Sequence, residues 1–261
     1  MPYIVWITLL ICLPSLVWAD KTEAQSNGFH PLSGNSFLSP SMQSMQKDTN
    51  ANPTSLWIEQ GLAIWGSEGT QGTCFQCHGA IEKNKQLAPQ FPKWSVQFKK
   101  LINLEDQILE CSKRTHKPLT GLENSDVLSL SAALHQVSTG LPFQLSAPEK
   151  FQAQWQSELN EGARLFTTRM GRMNLACTHC HDQLVGKRMR ADVISPGHPT
   201  GFPIFKMSWQ GMGAIDRRLR ACYSGVQADI PSPGSAELRQ LELFLKMRSQ
   251  EMPIEGPSLR R

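Results

Sequence analysis

Residues 74–78 read CFQCH and residues 177–181 read CTHCH. Two cysteines three positions apart, followed at once by histidine, form the attachment signature of a c-type haem. The spacing has a direct physical reason. Thiols three apart on one helical turn reach both vinyl groups of a porphyrin and form thioethers, and the histidine then lies under the ring as the proximal iron ligand. A zinc ribbon shares the Cys-x-x-Cys core, but its two pairs must lie close enough to share one metal. Here about a hundred residues separate them. A thioredoxin-like dithiol needs a βαβ setting that the neighbouring sequence lacks. Cys74, Cys77, Cys177 and Cys180 are therefore expected to hold two covalent haem c groups, with His78 and His181 as iron ligands.

The flanks of the two motifs also match each other. LWIEQGLAIWGSEGTQGTCFQCHG precedes and contains the first, and QSELNEGARLFTTRMGRMNLACTHCHD the second. Each lead is apolar with helical period and carries a Gly-x-x-x-aromatic spacing. Each motif is followed by a Phe-Pro segment (FPKW, FPIFKMSW), then by a helical segment with one cysteine (LINLEDQILECSK with Cys111, GAIDRRLRACYSG with Cys222). Each copy closes on another helix, within NSDVLSLSAALHQVSTG and SAELRQLELFLKMRSQ. No stretch alternates with period two. The expected fold class is all-α, with two cytochrome c-like domains in tandem as an internal repeat and an extended N-terminal arm. The expected boundaries are a signal peptide at 1–19, an extended arm or linker at 20–55, domain 1 at 56–145 and domain 2 at 146–261.

The opening MPYIVWITLLICLPSLVWAD is an apolar run too short for a spanning helix and reads as a secretory signal cleaved near Ala19–Asp20, which places the protein in the periplasm. An uncleaved anchor is the alternative, because no basic residue precedes the run. After Asp20 nothing approaches about eighteen consecutive apolar residues, so no membrane span is expected. The formal charge of +4 is uneven: residues 20–149 hold 10 basic against 12 acidic side chains, and residues 150–261 hold 16 against 10. A positive second half suits an anionic substrate or an acidic partner. Nucleic acid is not expected, since the basic residues are not interleaved with stacking aromatics.

The sixth iron ligands follow in part by elimination. Methionine is a common distal ligand in c-type cytochromes, but none occurs between Met45 and Met170. The donors left to the first half are Cys111, His116, His135 and several lysines. Cys111 is favoured because its counterpart in the second copy is also a cysteine; His116 and His135 read as surface or capping residues. In the second half Met207 and Met212 compete with Cys222, with a place in the core as the other fate of both methionines. A Cys111–Cys222 disulfide is a further rival that the compartment permits, although the repeat would turn each cysteine to its own haem. Arg218 lies four residues before Cys222, on the same helical face, where a guanidinium lowers a thiol pKa and binds an anion. Arg217 and Arg220 read as solvated, as does the GKRMR run at 186–190.

With NPTSLWIEQG, CFQCHG, ACTHCHDQLVGKRMRADVISPGHPTGFPIFKMSWQ and RRLRACYSGVQAD, the chain resembles the SoxA family, the dihaem cytochrome c subunits of the SoxAX complex in bacterial thiosulfate oxidation. The resemblance covers nearly everything after the leader. It implies pairing with the monohaem cytochrome SoxX and oxidative conjugation of thiosulfate to a cysteine of the SoxYZ carrier, an L-cysteine S-thiosulfotransferase activity whose two electrons pass to haem and on to a c-type acceptor. It further implies His78 and Cys111 on haem 1, His181 and Cys222 on haem 2, an extra sulfur on Cys222 as a persulfide and catalytic residue, and Arg218 on the sulfonate end of thiosulfate. One departure is Gln107, where the pattern has an arginine before the first ligand cysteine. The reading from another class is a non-catalytic periplasmic dihaem electron-transfer cytochrome with Met207 or Met212 on haem 2. A dihaem peroxidase, which needs an open iron, finds little support.

Overall fold

The first folded segment begins before the helical repeat, in the stretch expected to be an extended arm. The computed structural model describes Met1 and residues 32–261; the expected signal peptide and residues 20–31 lie outside the described residues. Residues Gly34–Phe37 form a 3₁₀ turn, and α1 (Pro40–Lys47) follows, capped by the Ser39 hydroxyl and started by a proline in its first turn. The arm is thus helical here and tied down. Ser33 donates to Glu255 at 2.9 Å, Arg260 donates to the Asn35 side chain at 2.7 Å, and the Gln46 side chain accepts from the backbone of Leu259. Polar composition hid this because α1 is held by hydrogen bonds to the C-terminal strand and has no buried residue of its own.

The remaining elements come in two similar runs. The first holds α2 (Thr54–Trp65), the one-turn α3 (Cys74–His78), a hairpin of β1 (Lys93–Ser95) and β2 (Lys100–Ile102), α4 (Leu104–Ser112) and α5 (Ser125–Val137). The second holds α6 (Gln152–Thr167), the one-turn α7 (Cys177–His181), a small ribbon of β3 (Arg188–Met189) and β4 (Asp192–Val193), a hairpin of β5 (Ile204–Lys206) and β6 (Gly211–Gly213), α8 (Ile215–Gly225) and α9 (Ala236–Met247). A last strand, β7 (Ser258–Arg260), pairs parallel with β5, giving the order β6-β5-β7 and setting Arg260 opposite Lys206.

The expectation of an all-α chain is therefore corrected: the protein is predominantly helical with three small sheets among the described residues. Strands of two or three residues are too short for period-two alternation to register.

Lead and closing helices pack together in both runs, and the reason is a glycine in each lead. A Cβ on Gly61 would stand 2.0 Å from the Ser129 carbonyl oxygen of α5, and one on Gly162 would stand 2.2 Å from the Gln240 carbonyl oxygen of α9. The aromatic four residues later fills the space beyond: Trp65 joins the core of Ile81, Phe91, Ile102, Leu104, Leu130 and Leu134, and Phe166 joins that of Ile215, Leu219, Leu238 and Leu241. A third core crosses between the runs, where Leu101, Phe143 and Leu145 meet Trp155, Leu243 and Ile254.

Candidate functional site

Each Cys-x-x-Cys-His segment forms a single helical turn entered from extended backbone. Cys74 packs against the first core, and Cys177 against the second. Both thiols are pushed up to about 11, by burial first and then by a neighbouring cysteine: Cys111 for Cys74 and Cys222 for Cys177. Each motif is thus approached by one further sulfur from a different helix, α4 in the first run and α8 in the second. No two of the six cysteines among the described residues are bonded to each other, Cys111 and Cys222 included.

The second motif is the better organised. His181 donates through Nδ1 to the Ser195 carbonyl at 2.7 Å, which fixes the ring and leaves Nε2 for a ligand. Gly197 lets that loop pass close over the imidazole, since a Cβ there would lie 3.0 Å from Nδ1. Cys222 faces His181. Burial opposes ionisation of this thiol, but its hydrogen bond with His181 and the charge of Arg218 outweigh burial and hold it below its ordinary value. At the first motif Trp65 caps the cleft, its Nε1 donating to the Gly79 carbonyl at 2.9 Å and its ring 5.6 Å from that of His78. Cys111 receives a neutral donor there, the Gln107 amide at 3.2 Å.

Three cations converge around Arg218, the one that acts on Cys222. Arg218 lies close enough to depress both Lys206 and Arg260, although burial is the larger cause for each; Arg260 falls to about 10. Sequence reading missed Lys206 and Arg260. They are 54 positions apart and meet only through the β5–β7 pairing, so no local spacing signals them.

Other expected donors are committed elsewhere. Met212 is 1% exposed in a core with Leu128, Ala132 and Ala214, whereas Met207 sits exposed on the turn after β5. His116 is exposed. His135 is not the surface residue expected: it is buried in α5, donates from Nδ1 to the Ser131 carbonyl at 2.9 Å, and is held neutral by burial, with its pKa lowered to about 3. Arg217 and Arg220 are also not simply solvated. Arg217 stacks 4.4 Å over the Trp209 ring, and Arg220 donates to the Pro231 carbonyl at 2.9 Å. Arg188 and Arg190 are exposed on the β3–β4 ribbon.

These residues fit a haem: paired thiols on one turn, a proximal imidazole with one nitrogen already satisfied, and a soft sulfur donor facing it. Such a fold and site define a c-type cytochrome. The family model described as the SoxA/TsdA cytochrome c domain matches residues 60–143. The L-cysteine S-thiosulfotransferase subunit SoxA of Pseudaminobacter salicylatoxidans is 33% identical over 249 residues, 92% of this chain and 85% of that one, and its counterpart in Rhodovulum sulfidophilum is 29% identical over 232 residues, 87% and 79%. The crystal structure of SoxXA from P. pantotrophus superposes with a TM-score of 0.80 at 25% identity, covering 88% of this chain and 87% of that one. The chain belongs to the SoxA family and carries covalently bound haem c.

Proposed function

We propose that this chain is a dihaem L-cysteine S-thiosulfotransferase subunit, built from two tandem cytochrome c-like domains, that conjugates thiosulfate to a carrier cysteine at the second haem. The carrying observation is the grouping of His181, Cys222 and Arg218: a sulfur opposite the proximal imidazole with a guanidinium one helical turn away. Cys74 and Cys77 would hold haem 1 and Cys177 and Cys180 haem 2, with His78 and Cys111 ligating the first iron and His181 and Cys222 the second. The bound haem supplies a one-electron acceptor.

Arg218 holds the sulfonate end of thiosulfate by charge-assisted hydrogen bonds, and Lys206 and Arg260 add positive potential for a dianion. His181, oriented by the Ser195 carbonyl on Nδ1, would leave Nε2 free to hold the iron. The Cys222 sulfur lies where the thiosulfate sulfur and the incoming carrier thiol meet. Joining a thiol to thiosulfate forms one sulfur–sulfur bond and releases one proton and two electrons.

The partners are a monohaem cytochrome corresponding to the SoxX of the P. pantotrophus complex, a SoxYZ-type carrier and a c-type electron acceptor. The place of action is the periplasm, supported by the exported leader in the sequence and by the absence, among the described residues, of any helix long and apolar enough to cross a membrane.

An intact-mass measurement of the mature protein tests the dihaem reading: two haem increments are expected, with an additional sulfur on Cys222 after peptide mapping. One haem increment overturns it. Electron paramagnetic resonance showing His/Met ligation of haem 2 would instead favour an electron shuttle.

A further inference from the structure

The two cysteine-bearing helices share one buried guanidinium. Arg239, on α9, is 2% exposed. Its Nε donates to Asp106 Oδ2 at 2.6 Å and its Nη1 to Asp216 Oδ1 at 2.6 Å. Asp106 stands in the first turn of α4, five residues before Cys111, where it also accepts from the Asn103 backbone at 3.0 Å in a capping box. Asp216 stands in the first turn of α8, six residues before Cys222 and two before Arg218, and its other oxygen accepts from the Gly234 backbone at 2.9 Å. The rest of the α9 face extends the same network. Glu242 accepts from the Asn103 side chain at 3.3 Å and pairs with Lys246 at 2.9 Å, and Lys246 donates to the Phe91 carbonyl at 3.1 Å.

We propose that Arg239 is a positioning residue that clamps the first turns of α4 and α8 together, so that the setting of Cys111 and the setting of Cys222 move as one. The geometry suits this role. A guanidinium is a rigid planar fork whose separate N–H groups hold two acceptors in a fixed mutual geometry, whereas the donors of an ammonium rotate and impose none. Asp216 is 2% exposed, so this half of the clamp is shielded from solvent. The clamp crosses the boundary between the two runs, joining the helix behind one attachment motif to the helix behind the other. It rests on the reading of Cys111 and Cys222 as iron ligands only for its consequence at the haems, and not for the mechanical link itself.

The test uses the full haem-loaded protein. Asp216→Asn keeps an oxygen for the Gly234 backbone but removes the charge facing Arg239; Asp106→Asn is the reciprocal variant. Two readouts are taken: the low-spin paramagnetic resonance signal of each haem, assigned by reference to Cys111→Met and Cys222→Met, and amide hydrogen exchange in α4 and α8 with α2 as control. The expected result is that Asp216→Asn shifts the signal of haem 1 as well as haem 2, and speeds exchange in α4 as well as α8 by about tenfold or more, with α2 unchanged. Effects confined to haem 2 and α8 overturn the clamp. If the signals carry no thiolate character, the ligation reading fails and α4 exchange alone decides the clamp. Should the aspartate variants fail to fold, Arg239→Lys, which keeps the charge and loses the fork, is expected to shift both signals; a shift in one alone, or in neither, overturns the proposal.

Discussion

Gln107 sets its side-chain amide 3.2 Å from the sulfur of Cys111, one turn further along α4. The residue in the same relation to Cys222 is Arg218, whose charge lowers that thiol. Two helices of similar place in the fold thus present a neutral donor at one cysteine and a cation at the other.

Gln107→Arg should erase much of this difference. A charge beside the sulfur disfavours the oxidised iron, so the midpoint potential of haem 1 is expected to rise by on the order of tens of millivolts. Spectroelectrochemical titration reads the change, and an unmoved potential would show that the amide and the guanidinium are equivalent there.

Arg218→Ala is expected to lower kcat/KM for thiosulfate by about tenfold to a hundredfold, the range for a lost charge-assisted hydrogen bond. Lysine at the same position should restore only part of it, because it cannot offer a planar fork. Steady-state kinetics at two ionic strengths would check both statements; wild-type salt dependence in Arg218→Ala would place the anion site elsewhere.

Gly61→Ala and Gly162→Ala should each destabilise the fold by about 1–3 kcal/mol or more, since the new methyl meets backbone oxygen at 2.0 Å and 2.2 Å. Denaturant unfolding gives the values. A neutral outcome at either position would mean that the α2–α5 or α6–α9 crossing yields without cost.

The carboxyl of Glu105 is raised to about 7, by burial first and then by Glu242, against the Ser131 hydrogen bond at 2.6 Å. Its folded value lies above the unfolded one, so folding favours the protonated form. This contribution is fully present below about 4.5, the unfolded value, and is lost as pH rises through about 7. His135 acts in the other direction. Its folded value near 3 lies below the ordinary 6.5, so stability falls as pH drops through the range between them. The two slopes oppose each other between about 4.5 and 6.5, so urea midpoints should stay nearly level there, and Glu105→Gln should make them rise with pH across that range. A level profile retained in that variant would remove Glu105 from the pH response.

What the sequence made legible was local. The attachment motifs, the cysteine-bearing helices and the Arg218–Cys222 spacing all depend on residues within a few positions of each other, where helical period carries information. The Gly-x-x-x-aromatic spacing could be seen, but its purpose, a backbone contact with α5 or α9, could not. Pairings over long separations stayed hidden: Lys206 with Arg260 across β5 and β7, Arg239 with Asp106, and α1 with the C-terminal strand. His135 read as a surface residue because a lone histidine on a helix gives no sign of the Ser131 carbonyl that receives it in the core.

The most direct measurement is thiosulfate-dependent conjugation to a carrier cysteine by Cys222→Met, made alongside an intact mass. Two haem increments retained and conjugation abolished are expected. Conjugation at wild-type rate in a dihaem Cys222→Met protein would contradict this.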